Sequence, residues 1–373
     1  MLKRVLFFRC QLLKRFIFAL VLIKNLNKMK KNLQNALVLA MGLMTTVTFA
    51  QDWGVDSRTR IDMSGDNDKM ITHQRATLGA TWGGSDWGIH MSSDVNYRMG
   101  SRAMGDDNLS MEIYEAYAST DVMGYANVTA GRQALNYGSG ALISSRDWGT
   151  DRTTWDGFKI GLDLDMADVT IGYASMNDGG ADSNGVANGS DGNMFLNAGG
   201  EFSGWNVNLV YMTTTTDGES GENAATGIDI SGEVMGAGIS ASMNSDFDAD
   251  EMRVIGLTYA VNDDMGVNVS QTVYGEDGGF NMAGTNMSGA DWSNGQMAYL
   301  NGGDEMLSYG LTYNMAGISL GATMHNVTSL DESERDVTEI SLGYSLNDNA
   351  GLSLSMVDDN ETKYMWVTLN VGL

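Results

Sequence analysis

Short stretches of alternating apolar and polar residues recur from Trp53 to the end of the chain. In "WNVNLVYM", Val207, Leu209 and Tyr211 share one face; in "MGVNVSQTVYG", Val267, Val269 and Val273 do. "EISLGYSL" sets Ile340, Leu342, Tyr344 and Leu346 on one side, and "AGLSLSM" sets Leu352, Leu354 and Met356. Asn, Ser, Thr, Gly and Glu fill the opposite faces. Strand side chains alternate sides, so each stretch reads as a β-strand with one apolar face. No stretch carries a convincing helical period.

The connections alternate in length. Short turns fall at 83–87, 122–125, 166–168, 203–205, 235–238, 262–266, 314–317 and 347–351. Between them lie longer acidic or Gly/Asn/Ser-rich loops, at 98–110, 136–152, 176–192, 216–225 and 275–304. Tight turns at one end and long loops at the other describe an up-and-down meander. Eight turns joining two strands each, plus one strand at either end, predict 18 strands, within a range of 16 to 18. Strands of about ten residues match a tilted crossing of a bilayer.

A long meander must close its edges. The terminal "KYMWVTLNVGL" keeps Met365, Val367, Leu369, Val371 and Leu373 on one face up to the last residue. That is the pattern of a terminal barrel strand read by the barrel-assembly machinery, although Leu373 stands where Phe is usual. Trp53, Trp82, Trp87, Trp205 and Trp366 near strand ends are candidates for aromatic girdles. A soluble sandwich would bury bulky residues on both sides of its core, and a solenoid would show a fixed repeat. A polar, Gly-rich second face instead suits a water-filled lumen, with lipid against the first. The fold class expected is all-β, a transmembrane antiparallel up-and-down β-barrel of about 18 strands.

The N-terminus reads as an address. From Met29, Lys30 and Lys31 precede an apolar run over Ala36–Val47, and Thr48-Phe49-Ala50 offers small residues before a cleavage site. Residues 29–50 are the expected Sec signal peptide, residues 1–28 an upstream extension, and residues 51–373 a single barrel domain. The only cysteine, Cys10, lies in the extension. Disulfide and thiol chemistry are therefore excluded from the barrel.

Charge narrows the function. Residues 1–50 hold nine Lys/Arg and no acid, which leaves 13 of the 22 basic residues against all 47 acidic ones, a net of −34. Such a surface repels nucleic acid. His73, His90 and His325 are isolated in sequence, and no nucleophile elbow, zincin, P-loop or dinucleotide motif occurs. The chain reads as non-enzymatic and without a cofactor. Asp246, Asp248 and Asp250 in "DFDADE" form a weak candidate calcium loop. The EF-hand glycine and glutamate are absent, since Glu251 and Leu257 take those places, and a solvated acidic loop is the simpler reading.

Nine of the 13 barrel cations precede residue 153. Arg58 and Arg60 share a face with Asp62, opposite Val55, Ser57, Thr59, Ile61 and Met63. Arg75 shares a face with His73 and Thr77, opposite Ala76, Leu78, Ala80 and Trp82. A charge on the lipid face costs roughly 2–4 kcal/mol at the midplane, so these arginines should face the lumen. Arg132 is in phase with Val128 and Ala130 and is placed near the outer rim. Arg146 and Arg152 complete the set. Two roles compete: a ladder pairing with Asp62, Glu112 or Glu115 to brace the wall, and a basic track guiding anionic solutes.

"GRQALNYGSGALISSRDWGTDRTTWDG" (131–157) carries Gly131-Arg132-Gln133, Tyr137-Gly138, Leu142-Ile143, Asp147-Trp148 and Asp156-Gly157. With "RTRIDM", "HQRATLGATW" and "EIYEAYA" upstream, this stretch resembles the alginate-export family of outer-membrane barrels over roughly residues 55 to 175. That family's Arg three residues before the closing Asp is Thr153 here, with Arg152 one position earlier. The resemblance implies a conduit for an anionic polysaccharide. It implies a lumen lined by Arg58, Arg60, Arg75, Arg132 and Arg152, with Asp147 and Trp148 anchoring a loop that folds toward the pore.

The expectation is a monomeric barrel in the Gram-negative outer membrane, with its lipid as partner. It would pass hydrophilic solutes passively, anionic sugars or oligosaccharides first among them. The alternatives are a general diffusion porin with a cation preference, and a structural or adhesive barrel with calcium-binding acidic loops.

Overall fold

The computed structural model describes residues 50–373 except 66–69, 101–108, 146, 150–151, 177–191, 217–218, 277, 281–299 and 361. The expected signal peptide and extension therefore lie outside the described residues, as does Arg146.

The chain forms 18 strands. The first six are β1 (Ala50–Asp62), β2 (Ile71–Gly83), β3 (Trp87–Arg98), β4 (Leu109–Val122), β5 (Ala126–Gln133) and β6 (Trp155–Leu164). The next six are β7 (Ala167–Met176), β8 (Gly192–Phe202), β9 (Trp205–Thr216), β10 (Glu219–Val234), β11 (Ala237–Ser245) and β12 (Glu251–Ala260). The last are β13 (Met265–Tyr274), β14 (Glu305–Met315), β15 (Ile318–Thr328), β16 (Glu334–Asn347), β17 (Ala350–Asp359) and β18 (Thr362–Gly372). Each pairs with its neighbours in sequence, and β18 pairs with β1, so the sheet is closed. The register at the seam runs antiparallel from Asp56↔Gly372 to Asp62↔Trp366.

All eight short connections fall at the expected places. Four of them carry two successive residues of positive φ: Ser203-Gly204, Met235-Gly236 and Ala316-Gly317 in two-residue turns, and Met123-Gly124 in the three-residue connection before Ala126. That is the type I′ geometry, whose twist matches that of paired strands. One expected long loop is short. β10 begins at Glu219, only three positions after β9 ends, and the register slips between Ser220 and Ala224.

The alternation reads out as two surfaces. Leu209, Tyr211, Val269, Ile340, Tyr344 and Leu352 face outward and are exposed on the bare protein, as a lipid-contacting belt requires. Trp53, Trp82, Trp87 and Trp205 share this outer phase beside the short turns, and Trp53 meets Trp82 edge to face at 6.1 Å. Trp366 does not belong to a girdle. It is 3 % exposed and stacks with Tyr364 at 5.8 Å, because its phase is opposite to that of Met365 and Val367.

The buried apolar cluster lies inside the barrel, where a loop enters it. Leu135, Leu142 and Ile143, between β5 and β6, pack with Ala174, Phe195, Val210, Met212 and Ala225 from β7 to β10. Phe280 and Leu300, in the connection between β13 and β14, join the same cluster with Tyr274 and Met306.

Candidate functional site: a loop across the lumen

Residues 134–154 connect β5 to β6, and the described ones among them reach from β1 to β10 across the lumen. The loop is built from its own polar groups first. The backbone N–H of Tyr137 donates to the carbonyl of Ile143 (3.1 Å), and that of Gly140 to the carbonyl of Tyr137 (3.0 Å). Ser145 N–H donates to the Asn136 side-chain oxygen (2.9 Å), and Leu135 N–H to the Ser145 hydroxyl (3.0 Å). At the start of β6 the Trp155 indole donates to the Ser144 carbonyl (3.0 Å). These bonds satisfy backbone groups that burial would otherwise leave costly.

One end of the loop is held by arginines. Arg58 donates to the carbonyls of Asp147 (2.7 Å) and Gly149 (2.5 Å). Arg60 donates to the carbonyl of Trp148 (2.6 Å), and its guanidinium carbon lies 3.4 Å from the centre of the Trp148 ring. Arg75 donates to the carbonyl of Asp147 (3.1 Å) and to its carboxylate (2.6 Å). Trp148 in turn meets Trp366 of β18 edge to face at 5.5 Å. The Asp147 carboxylate is 68 % exposed, so water screens its ion pairs and they contribute little. The buried arginine-to-carbonyl bonds, each worth about 1.5–3 kcal/mol, provide the hold.

The other end rests on β10. Ser139 N–H donates to the Asp229 carboxylate (2.9 Å), which also accepts the Ser242 hydroxyl of β11 (2.5 Å). Gly138, at φ +58°, makes this approach possible: a Cβ there would run into the Asp229 carboxylate and come within 2.6 Å of the Asn208 amide. Between the two ends, Leu142 and Ile143 are each 1 % exposed and Leu135 3 %. Burying each such side chain is worth about 1.5–3 kcal/mol. This burial and the arginine bonds together oppose release of the loop. The loop is a fixed strut.

The strut divides the inner wall into two arcs. On β1–β6 the inner face is large and charged: Arg58, Arg60, Arg75, Asp94, Tyr114 and Glu115 project there. Beyond the strut a cavity of about 970 Å³ runs along β7–β15. Its inward side chains include Asn208, Ser231, Ser240, Asn268, Ser270 and Thr323, and the strut contributes Gly138, Ser139 and Ala141. Asp168, Glu201 and Asp229 line it, with His325 and no Lys or Arg among the described residues.

No protein-family model matches the chain, and no curated protein does. Solved structures do match. The outer membrane protein OpdK from Pseudomonas aeruginosa has a TM-score of 0.69 at 11 % identity, over 87 % of this chain and 98 % of that one. Pseudomonas aeruginosa OccK9 (OpdG) has a TM-score of 0.68 at 12 % identity, over 87 % and 98 %. Acinetobacter baumannii OccAB4 has 0.67 at 10 %, over 87 % and 99 %. The fold is that of an outer-membrane porin. With its lipid-facing belt, this barrel belongs in the outer membrane of a Gram-negative cell. The alginate-export family finds no support in these comparisons; a porin-like barrel does.

The porin fold shows what became of each candidate residue. Arg58, Arg60 and Arg75 do point inward, but they are only 9, 9 and 5 % exposed and grip the strut. Their acceptors are backbone carbonyls, Asp147 and, for Arg60, the Thr368 hydroxyl (3.4 Å), not the Asp62, Glu112 or Glu115 proposed for a wall ladder. Arg152 belongs to the strut itself, near its return to β6. It donates to Asp94 on β3 (Nε to Oδ2, 2.8 Å) and Thr77 on β2 (3.1 Å), and covers the Tyr114 ring at 3.3 Å. Burial pulls its pKa down, but the hydrogen bond and charge of Asp94 outweigh burial and leave it raised. Arg132 forms a two-pronged pair with Asp156 across β5–β6 (both 2.7 Å) in the outward phase of Phe158, at the rim. Asp147 and Trp148 anchor the strut.

The acidic loop at 246–250 has its own explanation. Asp246 accepts the N–H groups of Asp248 and Asp250 (both 3.0 Å), which closes the turn, and no metal-holding group of three occurs among the described residues. Asp229 was missed. In "TGIDISGEV" it is one polar residue of an ordinary strand alternation, and nothing in the sequence marks it as the strut's second hold.

Proposed function

We propose that this chain is a passive outer-membrane channel for small hydrophilic solutes, which pass along the β7–β15 arc with a preference for cations and neutral molecules. One observation carries the reading. The open cavity presents Asp168, Glu201 and Asp229 without a Lys or Arg among its described lining residues, while the arginines donate to the strut. A fixed negative lining in a narrow pore favours cations.

An anionic sugar needs exposed guanidinium groups to meet it, and a sugar ring is helped by aromatic faces. The described lining offers neither. OpdK has been solved with vanillate, itself a carboxylate. The arc proposed here as the path holds no described Lys or Arg to receive such a ligand. The general-diffusion reading is therefore the better supported one.

The test is the reversal potential of the purified protein in a planar bilayer under a KCl gradient. Discrete steps with a cation-side reversal potential are expected. Anion-selective steps would overturn the charge preference, and a folded barrel without steps would overturn the channel itself.

A further inference from the structure

We infer that Asp229 is the residue that sets charge selectivity, at the place where the strut tip docks on β10 beside the cavity. The inference rests on the passage of solutes along the β7–β15 arc.

Three carboxylates line the cavity among the described residues, and they stand at different heights. Asp168 is the second residue of β7, next to the short turn before it. Glu201 is the penultimate residue of β8, beside the turn at Ser203-Gly204. Both lie at the short-turn end of the barrel, where salt screens a fixed charge within about 10 Å. Asp229 is different. It sits in mid-strand on β10, in register with Asn208 on β9 and Ser242 on β11. The strut tip docks on this row, through Ser139 and the Cβ-free Gly138. Asp229 is half-buried and lines the cavity, so a solute moving along the cavity past the docked tip meets this carboxylate.

The environment of the carboxylate keeps its charge fixed in place without cancelling it. Its acceptor sites are engaged by one N–H and one hydroxyl, both neutral donors. No described Lys or Arg makes an ion pair with it, whereas Arg75, Arg132 and Arg152 each have a carboxylate of their own. The side chain is thus a carboxylate oriented by two neutral donors, at the height where the strut tip reaches β10. Neighbouring inward groups on the same row, Asn208 and Ser242, are uncharged.

The test compares Asp229→Asn and Asp229→Glu in planar bilayers. Both are also made in a Ser270→Cys background, in which a charged methanethiosulfonate reagent probes the path; Ser270 lines the same cavity. The expected result has two parts. Asp229→Asn lowers the K⁺/Cl⁻ permeability ratio by at least about threefold, and Asp229→Glu retains it. The reagent reduces current through the Ser270→Cys channel in every background and leaves the parent unaffected. An unchanged ratio in Asp229→Asn, with current still blocked at Ser270→Cys, overturns the role of Asp229 and leaves the path standing. Loss of preference in Asp229→Glu as well would show that the residue only positions the loop, and would overturn the inference. Current unaffected by reagent at Ser270→Cys overturns the path, and the inference with it.

Discussion

The Arg60 guanidinium carbon lies over the Trp148 ring, 3.4 Å from its centre, while the same guanidinium donates a hydrogen bond to the carbonyl of that residue. One residue of the barrel wall thus holds one residue of the loop by both its backbone and its side chain. A cation over an indole, shielded from water, is worth about 0.5–2 kcal/mol. A double-mutant cycle of Arg60→Ala and Trp148→Ala should show a coupling energy of that order. The midpoint of heat-induced loss of the folded band on gels provides the measurement. Additive effects would mean that the stacking contributes nothing.

Arg152 is expected to matter more for stability than Arg132. Its partner Asp94 has a side chain only 2 % exposed, whereas Asp156, the partner of Arg132, is 43 % exposed. Removing the cation from a buried pair costs about 3–5 kcal/mol, and from an exposed one about 0–1. Arg152→Leu should therefore lower unfolding stability in urea by several kcal/mol, and Arg132→Leu by less than about 1. Arg152→Lys should recover only part of the loss, since an ammonium cannot reproduce the fork on Asp94.

Gly138→Val is expected to widen the channel. The residue sits at φ +58°, which a β-branched side chain resists, and its Cβ would meet the Asp229 carboxylate. The tip must then leave β10 while the arginine end stays fastened. Single-channel conductance should rise relative to the parent, with a loss of stability of about 1–3 kcal/mol. An unchanged conductance would mean that the tip does not border the path.

Tyr137 provides a pH handle on the strut. Burial pushes its phenol up to about 12, only partly opposed by a hydrogen bond with Thr170, and its ring packs against Phe195 at 5.4 Å. The neutral phenol is thus favoured in the folded protein. Its contribution to stability is complete below the ordinary tyrosine value near 10 and is lost as pH rises through about 12. The tyrosinate absorbance difference between parent and Tyr137→Phe should appear near the upper value. A difference centred near 10 would mean that the ring is open to water.

The barrel was legible in the sequence because its determinants are local. Alternation along "EISLGYSL" and the short turns at "VMGY" or "NMAG" each specify structure within ten residues, and together they give 18 strands. The inward aim of Arg58, Arg60 and Arg75 followed from the same parity. Their acceptors did not. Carbonyls of Asp147, Trp148 and Gly149 are present at every position of every chain, so no residue type announces them. Trp366 was assigned to a girdle by residue type, although the phase of Met365 and Val367 already pointed it inward. Asp229 left no signal because its role depends on a loop arriving from 90 residues away in the chain.

The two arcs of the inner wall also differ in how much change they can absorb. Side chains on β1–β6 are interlocked with the strut, so most replacements there should be felt as lost folding. Ser270 and Thr323 face the cavity on β13 and β15, away from the row on which the strut tip docks. A larger or differently charged group at either of these positions leaves the holds of the strut untouched. A lineage built on this barrel can therefore alter what it admits by substitutions on one side, while the other side keeps the molecule standing.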